Sequence, residues 1–323
     1  MTISYTRNYK NNDFSEIRVD SSNLLWFANE LTNFDLTMYE TLRAQLSLFK
    51  AVSVYKTEPY QTIYNYKMFT DVGKAETGSV VSGFITDIPV SDVEGEDFNS
   101  PIVDVYSKII FTPQDIMLSS TTGRDAIAMK GENSFRINLQ EMNRNGIYGN
   151  KKFGVPGILS NKNIPTSVMA NDWKNQATIT GEILYKNLLA IVASIGTATG
   201  QLIAPNICLM APALYSIIDT TIYNIYQFKS VKSAFEETTK IQIICAHELA
   251  GSEIKRWGNI PNAKDSLIMF NDASSYIKHI VSTMFEMQPI EKNQLLYESI
   301  GLSRHGGVII TQPKACHIAS NLN

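Results

Sequence analysis

The spacing of apolar residues changes several times along this chain of 323 residues, and each change marks an element. Residues 1–34 have no period. They are polar and rich in Asn and Ser, interrupted only by short patches such as Leu24-Leu25-Trp26-Phe27. Such a segment cannot build a core of its own. The plain reading is a frayed terminus. The functional reading is an arm that orders on a neighbour, with a reach of about 110 Å when fully extended. Asp35 then stands as an N-cap. Leu36, Tyr39, Leu42, Leu46 and Phe49 follow at helical spacing and predict an amphipathic helix to about residue 50.

Period two takes over at 60–69. Tyr60, Thr62, Tyr64, Tyr66 and Met68 share one face, with Gln61, Ile63, Asn65, Lys67 and Phe69 on the other. A polar tip with two glycines, 71–79, and a second run at 80–90 complete a long hairpin. The acidic stretch 91–100 reads as a loop, 102–111 as a strand, and Thr112-Pro113 as a helix start. After a break near 119–123, a longer helix is predicted over 124–143, with Ile127, Phe135, Leu139 and Met142 on its apolar side and Gly131 weakening it.

Residues 146–166 form a compact loop of Gly, Asn and Pro. A helix follows at 181–195, ended by Gly196. Then come a strand at 206–210, helices near 212–218 and 231–238, strands at 241–245 and 266–270, and β-rich ends at 276–287 and 303–312. Helices and strands mix without a βαβ repeat, so the expected class is α+β.

Composition narrows the functional classes. Charged residues are 18%, below the usual ~25%, as befits a subunit whose surface meets neighbours. Lys and Arg number 28 against 31 Asp and Glu, a net charge of −3, which argues against a dedicated nucleic-acid binder. A container filled with duplex is compatible with it, since a strongly basic wall would hold the duplex fast. Three cysteines without a CxxC pair point to a reducing assembly environment. The polar N-terminus shows no signal peptide, and no apolar run approaches membrane-spanning length.

The common chemical motifs fail one by one. Gly149 to Gly154 has phosphate-loop spacing, but Val155-Pro156 replaces the required Lys-Ser/Thr. His247-Glu248 starts a zinc motif whose second histidine is Gly251, which leaves a surface or interface histidine. Asp92, Glu94 and Glu96 mimic a calcium loop, but Asp97 and Val103 stand where Gly and Glu belong. Gly196 to Gly200 follows a helix, not a strand, so a dinucleotide loop is excluded. His247, His279, His305 and His317 have no ligand spacing, and Cys316 and His317, adjacent on a strand, point to opposite faces. No catalytic residue, cofactor or metal site is expected.

From residue 146 the chain resembles a known family. GIYGNKKFGVPGILSNKNIP, Trp173, GEILYKNLLAIV, PNICLMAPALYSII, SVKSAFEE, IICAHELAGS and SLIMFN occur in the family's order. The ending FEMQPIEKNQLLYESIGLSRHGGVIITQPKAC, with Gly-Gly before the last strand and Pro313 after it, completes the match. This order and spacing, over about residues 55–320, resemble the major capsid proteins of tailed bacteriophages. The resemblance implies the Hong Kong 97 type capsid fold. Residues 1–54 would be an N-terminal arm, 55–98 the extended loop, and 99–149 a peripheral domain with 124–145 as spine helix. Residues 150–275 would be the axial domain, and 276–323 the C-terminal strands of the peripheral domain.

The resemblance implies self-assembly into hexamers and pentamers of an icosahedral shell around double-stranded DNA, without sequence-specific binding. The shell would form in the host bacterial cytoplasm and become the virion capsid, with no membrane. A portal protein is the implied partner. No fused scaffolding segment is expected, which leaves a separate scaffold, and decoration proteins, as further partners. The extended-loop residues expected to touch a neighbour are Tyr60, Tyr64, Tyr66, Phe69, Lys74, Glu76, Phe84 and Ile85. Two other readings stand beside this one. An encapsulin-like nanocompartment shell would enclose a cargo enzyme, and an adjacent cargo gene would reveal it. A soluble enzyme with an unfamiliar site would run as a small oligomer.

Overall fold

The computed structural model describes residues 46–73, 91–114, 126–175, 179–224, 229–258, 260, 262–294 and 296–321. The expected arm, most of the helix predicted before residue 50, the hairpin tip and the run at 80–90 lie outside them. The described part begins with α1 (Ser47–Ala51) and β1 (Val54–Lys56). Two long strands follow, β2 (Ile63–Gly73) and β3 (Ser91–Pro101), then β4 (Val103–Phe111).

β2 and β3 pair antiparallel from Ile63 opposite Pro101 to Gly73 opposite Ser91. The hairpin expected from the sequence is therefore present, but its second rail is shifted. The acidic segment 91–100, read as a loop, is a strand. Asp, Glu and Gly disfavour strands on their own. Here the pairing with β2 imposes the conformation, and Lys67 faces Asp97 across the ladder at 3.5 Å.

The predicted long helix is α2 (Ala126–Tyr148). Its buried side differs from the expectation. Met142 is buried as expected, but Phe135 is 40% exposed, whereas Ser134, Asn138 and Asn145 are buried. β5 (Thr166–Val168) and α3 (Gly181–Ala198) come next. Thr180 caps α3 by accepting from the Ile183 N–H. Gly196 does not end it; the chain leaves the helix two residues later, through Gly200 at φ +62.

Then follow β6 (Ile207–Met210), α4 (Pro212–Thr220), β7 (Ile222–Asn224), β8 (Lys229–Ser230), α5 (Val231–Thr239), β9 (Gln242–Cys245), α6 (Gly251–Trp257) and β10 (Ser266–Phe270). The chain closes with β11 (Ile277–Met287), β12 (Glu291–Asn293), β13 (Leu296–Ile310) and β14 (Cys316–Ser320).

Two five-stranded sheets organise these elements. In the first, the order is β1-β11-β13-β12, with β4 also paired to β13. In the second it is β5-β14-β10-β6-β9. β10 is buried at every position, being covered on both faces. The segment after Pro313 holds a strand not expected from the sequence, β14, which pairs antiparallel with β10 in the second sheet. A continuous core links the two sheets and includes Leu48, Trp173, Leu184, Leu188, Phe235, Phe270 and Val308.

β13 is longer than the predicted strand, and the two glycines lie inside it rather than before it. Gly306 drops out of the register with β11, between Gly307 opposite Ile280 and His305 opposite Val281. Gly307 has φ +74, and a Cβ there would stand 2.2 Å from the Pro156 carbonyl oxygen. Only glycine fits.

Candidate assembly surface

The hairpin is zipped on one face by aromatic rings. Tyr66 opposes Phe98 in the ladder, and their rings stack at 5.4 Å. Tyr64 stacks on Tyr66 at 6.4 Å and meets Tyr55 edge-on at 5.9 Å. At the root, the Lys278 ammonium donates to the Tyr64 hydroxyl at 3.0 Å and lies 5.0 and 5.2 Å from the Tyr55 and Tyr64 ring centres. Burial pushes the Tyr66 phenol above its ordinary pKa. The opposite face stays wet: Ile63, Asn65, Lys67, Asp97 and Asn99 are exposed.

The root has few fasteners. The Ile102 N–H donates to the Thr62 carbonyl at 2.9 Å, and the Ser100 hydroxyl to the Gly306 carbonyl at 2.9 Å. The Ser282 hydroxyl donates to the Glu58 carbonyl at 3.0 Å. Between these, Tyr60 takes the left-handed conformation, φ 68, with 76% of its surface exposed. A bulky side chain there is strained.

The expected contact residues thus divide. Tyr60 projects into solvent at the root. Tyr64 and Tyr66 are half-buried by their own hairpin and Lys278, so their rings already have partners within the subunit. Phe69 lies in β2 opposite Gly95. Lys74, Glu76, Phe84 and Ile85 lie outside the described residues.

Behind the hairpin, α2 meets the first sheet through polar groups. Ser134 and Ser107 hydroxyls are 2.5 Å apart. The Asn138 amide donates to the Gly301 carbonyl at 3.0 Å. Asn143 accepts from the Leu48 N–H at 3.0 Å and donates to Glu248 at 2.5 Å. The Ser47 hydroxyl takes the other Glu248 oxygen at 2.7 Å. Glu248, flagged in the sequence as half of a zinc motif, is therefore a brace between α1 and α2, while His247 is exposed.

Two histidines lie deep in this region. His305 accepts from the Gly307 N–H through Nδ1 at 3.2 Å, and its Nε2 lies 3.3 Å from the Asn145 amide nitrogen. His279 meets the Phe49 ring at 5.2 Å and the His305 ring at 5.8 Å, and among the described residues neither ring nitrogen has a hydrogen-bond partner. Burial pushes the pKa of His279 down to about 3, with His305 adding repulsion. Burial alone pushes that of His305 down to about 4.

His317 is a third tie. The Ser194 hydroxyl donates to the Ile191 carbonyl at 2.7 Å, so it must accept from His317 Nδ1 at 3.2 Å, and Nε2 then accepts from Ser167 at 2.8 Å. The imidazole fastens α3 to β5. Among the described residues, no group of three or more His, Cys, Asp or Glu could hold a metal. No described helix is long and apolar enough to cross a membrane.

Lys278, the polar face of α2 and the His279–His305 pair were all missed by the sequence reading. One signal was available: Ser134, Asn138 and Asn145 recur at helical spacing and mark a polar stripe.

Two sheets on a shared core, with an unsupported hairpin rooted beside a long spine helix, define a subunit fold of the Hong Kong 97 capsid type. Comparison agrees. The capsid of Myoviridae phage XM1 superposes with a TM-score of 0.77 at 12% identity, over 91% of this chain and 98% of that one. A structure from Mycobacterium phage Ogopogo gives 0.62 at 10% identity, over 91% and 98%. A virus-like particle from Pyrococcus furiosus gives 0.56 at 15%, over 85% and 92%. No curated protein matches. The family model described as major capsid protein matches residues 76–319, well over half of the chain. The chain belongs to that family: it is a shell-forming major capsid protein.

Proposed function

We propose that this chain closes, as hexamers and pentamers, the icosahedral shell around the double-stranded DNA genome of a tailed phage. The observation that carries the reading is the hairpin. Its outer face is wet, Ile63 and Val93 are more than half exposed, and it springs from the subunit on a handful of hydrogen bonds. A lone two-stranded ribbon is marginal in water. A neighbouring subunit is the natural support, with Tyr60, the exposed length of β2–β3 beyond the Tyr66–Phe98 pair and the extended loop carrying Lys74, Glu76, Phe84 and Ile85 making the contact.

In this reading residues 1–54 are the arm, 55–98 the extended loop, 99–149 with most of 276–323 the peripheral domain, and 150–275 with the last strand the axial domain. The subunit works without catalysis or cofactor. A portal protein occupies one vertex, and a separate scaffold and decoration proteins are the further partners. Expression alone and with a candidate scaffold, followed by negative-stain imaging, tests this. Closed icosahedral particles are expected. A stable monomer or dimer under conditions where related capsid proteins assemble would refute it.

The likeness to the Pyrococcus furiosus virus-like particle favours a second reading, a nanocompartment shell. Nuclease-protected DNA in native particles separates the two, since a compartment would hold protein cargo instead.

A further inference from the structure

β3 carries Asp92, Glu94 and Glu96 at spacing two, which places three carboxylates on one face of the hairpin. All three are exposed, and among the described residues none has an ion-pair partner.

The opposite charge gathers where α2 ends. Arg144, Lys151, Lys152 and Trp257 line one cleft of about 350 Å³. The Arg144 guanidinium lies 3.7 Å from the Trp257 ring centre and that of Arg256 4.8 Å from it. Two carboxylates stand against them: Glu141 pairs with Arg144, and Glu253 accepts from the Trp257 indole at 2.9 Å. Glu248 below is held by Ser47 and Asn143. Among the described residues Lys151, Lys152 and Arg256 have no ion-pair partner. In a chain of net charge −3 such a patch departs from the average surface.

Within one subunit these charges do not meet. The patch adjoins the hairpin's root, since a Cβ on Gly154 would lie 3.7 Å from the Pro101 ring. Glu96 and Asp92 stand five and nine residues further along β3, about 17 to 30 Å away at ~3.3 Å per residue. An acidic projection and a basic receiver on the same chain, held apart, are satisfied only between copies. A contact of that kind is head-to-tail and generates rings.

We propose that the Asp92–Glu94–Glu96 face of one copy docks on the Arg144–Lys151–Lys152–Arg256 patch of the next copy around a capsomer. The proposal rests on the reading above that the hairpin packs on a neighbour, and it names the receiving surface. Exposed pairs add little affinity each; they set orientation and register and weaken with salt. The guanidiniums stacked on Trp257 are already held in place, so less freedom is lost on docking.

Three variants test it: K151E/K152E, E94K/E96K and the four together. Each alters exposed positions, and circular dichroism checks the fold. Either pair alone should cut particle yield about tenfold or more at low ionic strength, and the combination should restore it. Normal yields from both pairs would overturn the docking, as would two defects that the combination does not repair. So would normal K151E/K152E shells that retain less DNA, which would make the patch a phosphate-facing wall. Wild-type chain that forms no shells would overturn the capsomer reading as well; failure of the variants beside normal wild-type shells sinks the docking alone.

Discussion

Lys278 and Tyr64, 214 residues apart, are joined by a 3.0 Å hydrogen bond that ties the first sheet to the root of the hairpin. The same ammonium lies over both the Tyr55 and Tyr64 rings. It is a single fastener that uses charge, hydrogen bond and ring face together.

Replacing Lys278 by Met should therefore loosen the hairpin without unfolding the core. The expected cost is about 1 kcal/mol, the scale of one partly exposed cation–π contact with its hydrogen bond. Limited proteolysis should cut faster around residues 57–62, with little change in thermal midpoint. Lys278→Arg should largely preserve protection. Equal cleavage rates in all three proteins would show that the clamp is idle.

Gly307→Ala meets two obstacles, the positive φ and the Pro156 carbonyl at 2.2 Å. A loss of about 2 kcal/mol or more is expected, because β13 and the 146–166 loop must both shift. Gly200→Ala, at φ +62 but with open space around it, should cost less. Denaturant midpoints compare the two.

Asn138→Leu should destabilise more than Phe135→Ser, against the usual ranking of polar and apolar sites. Asn138 is buried and serves the Gly301 carbonyl at 3.0 Å. Its loss orphans a buried acceptor, about 1–3 kcal/mol. Phe135 gives up one ring contact with Phe285, at 5.3 Å, from a half-exposed position. Chemical denaturation of assembly-blocked subunits measures both.

Acid sensitivity follows from the two buried imidazoles. Their folded-state pKa values, about 3 and about 4, lie below the 6.5 of the unfolded chain. Between those limits the unfolded chain binds more protons, so acid favours it. The pair's contribution to stability is complete above pH 6.5 and declines as pH falls from there toward 3 to 4. His279→Phe removes two unpartnered nitrogens beside Phe49 and should flatten this acid limb without lowering stability at neutral pH. An unchanged slope of stability against pH in the variant would show that His279 does not drive it.

Where side-chain period and burial agree, the sequence was easy to read. α3 buries Leu184, Leu188, Ile191 and Ile195 at the spacing that predicted it, and β10 falls on the expected 266–270. Reading failed where a partner overrides local preference. Asp92, Glu94, Gly95, Glu96 and Asp97 are poor strand formers and are strand because β2 lies alongside. Phe135 was expected on the buried side and Asn138 was not, because no hydropathy scale anticipates carbonyls waiting at Val105 and Gly301. β14 was missed because its place is fixed by β10, some fifty residues earlier. As for the surface, the first rail of the hairpin was legible from its alternation. The cluster at Trp257 was not, since its cations come from three separate segments.

The hairpin also has a mechanical consequence. Its paired rails of 11 residues each extend about 36 Å at ~3.3 Å per residue. The fasteners at Thr62, Ser100 and Lys278 all sit at one end. It is a lever with a short fulcrum. A rotation of about 5° at that end, small enough for the Glu58–Thr62 backbone to absorb, displaces the far end by about 3 Å over that span. One rigid body can thus meet neighbours at more than one angle, by turning a single joint and leaving its core undisturbed.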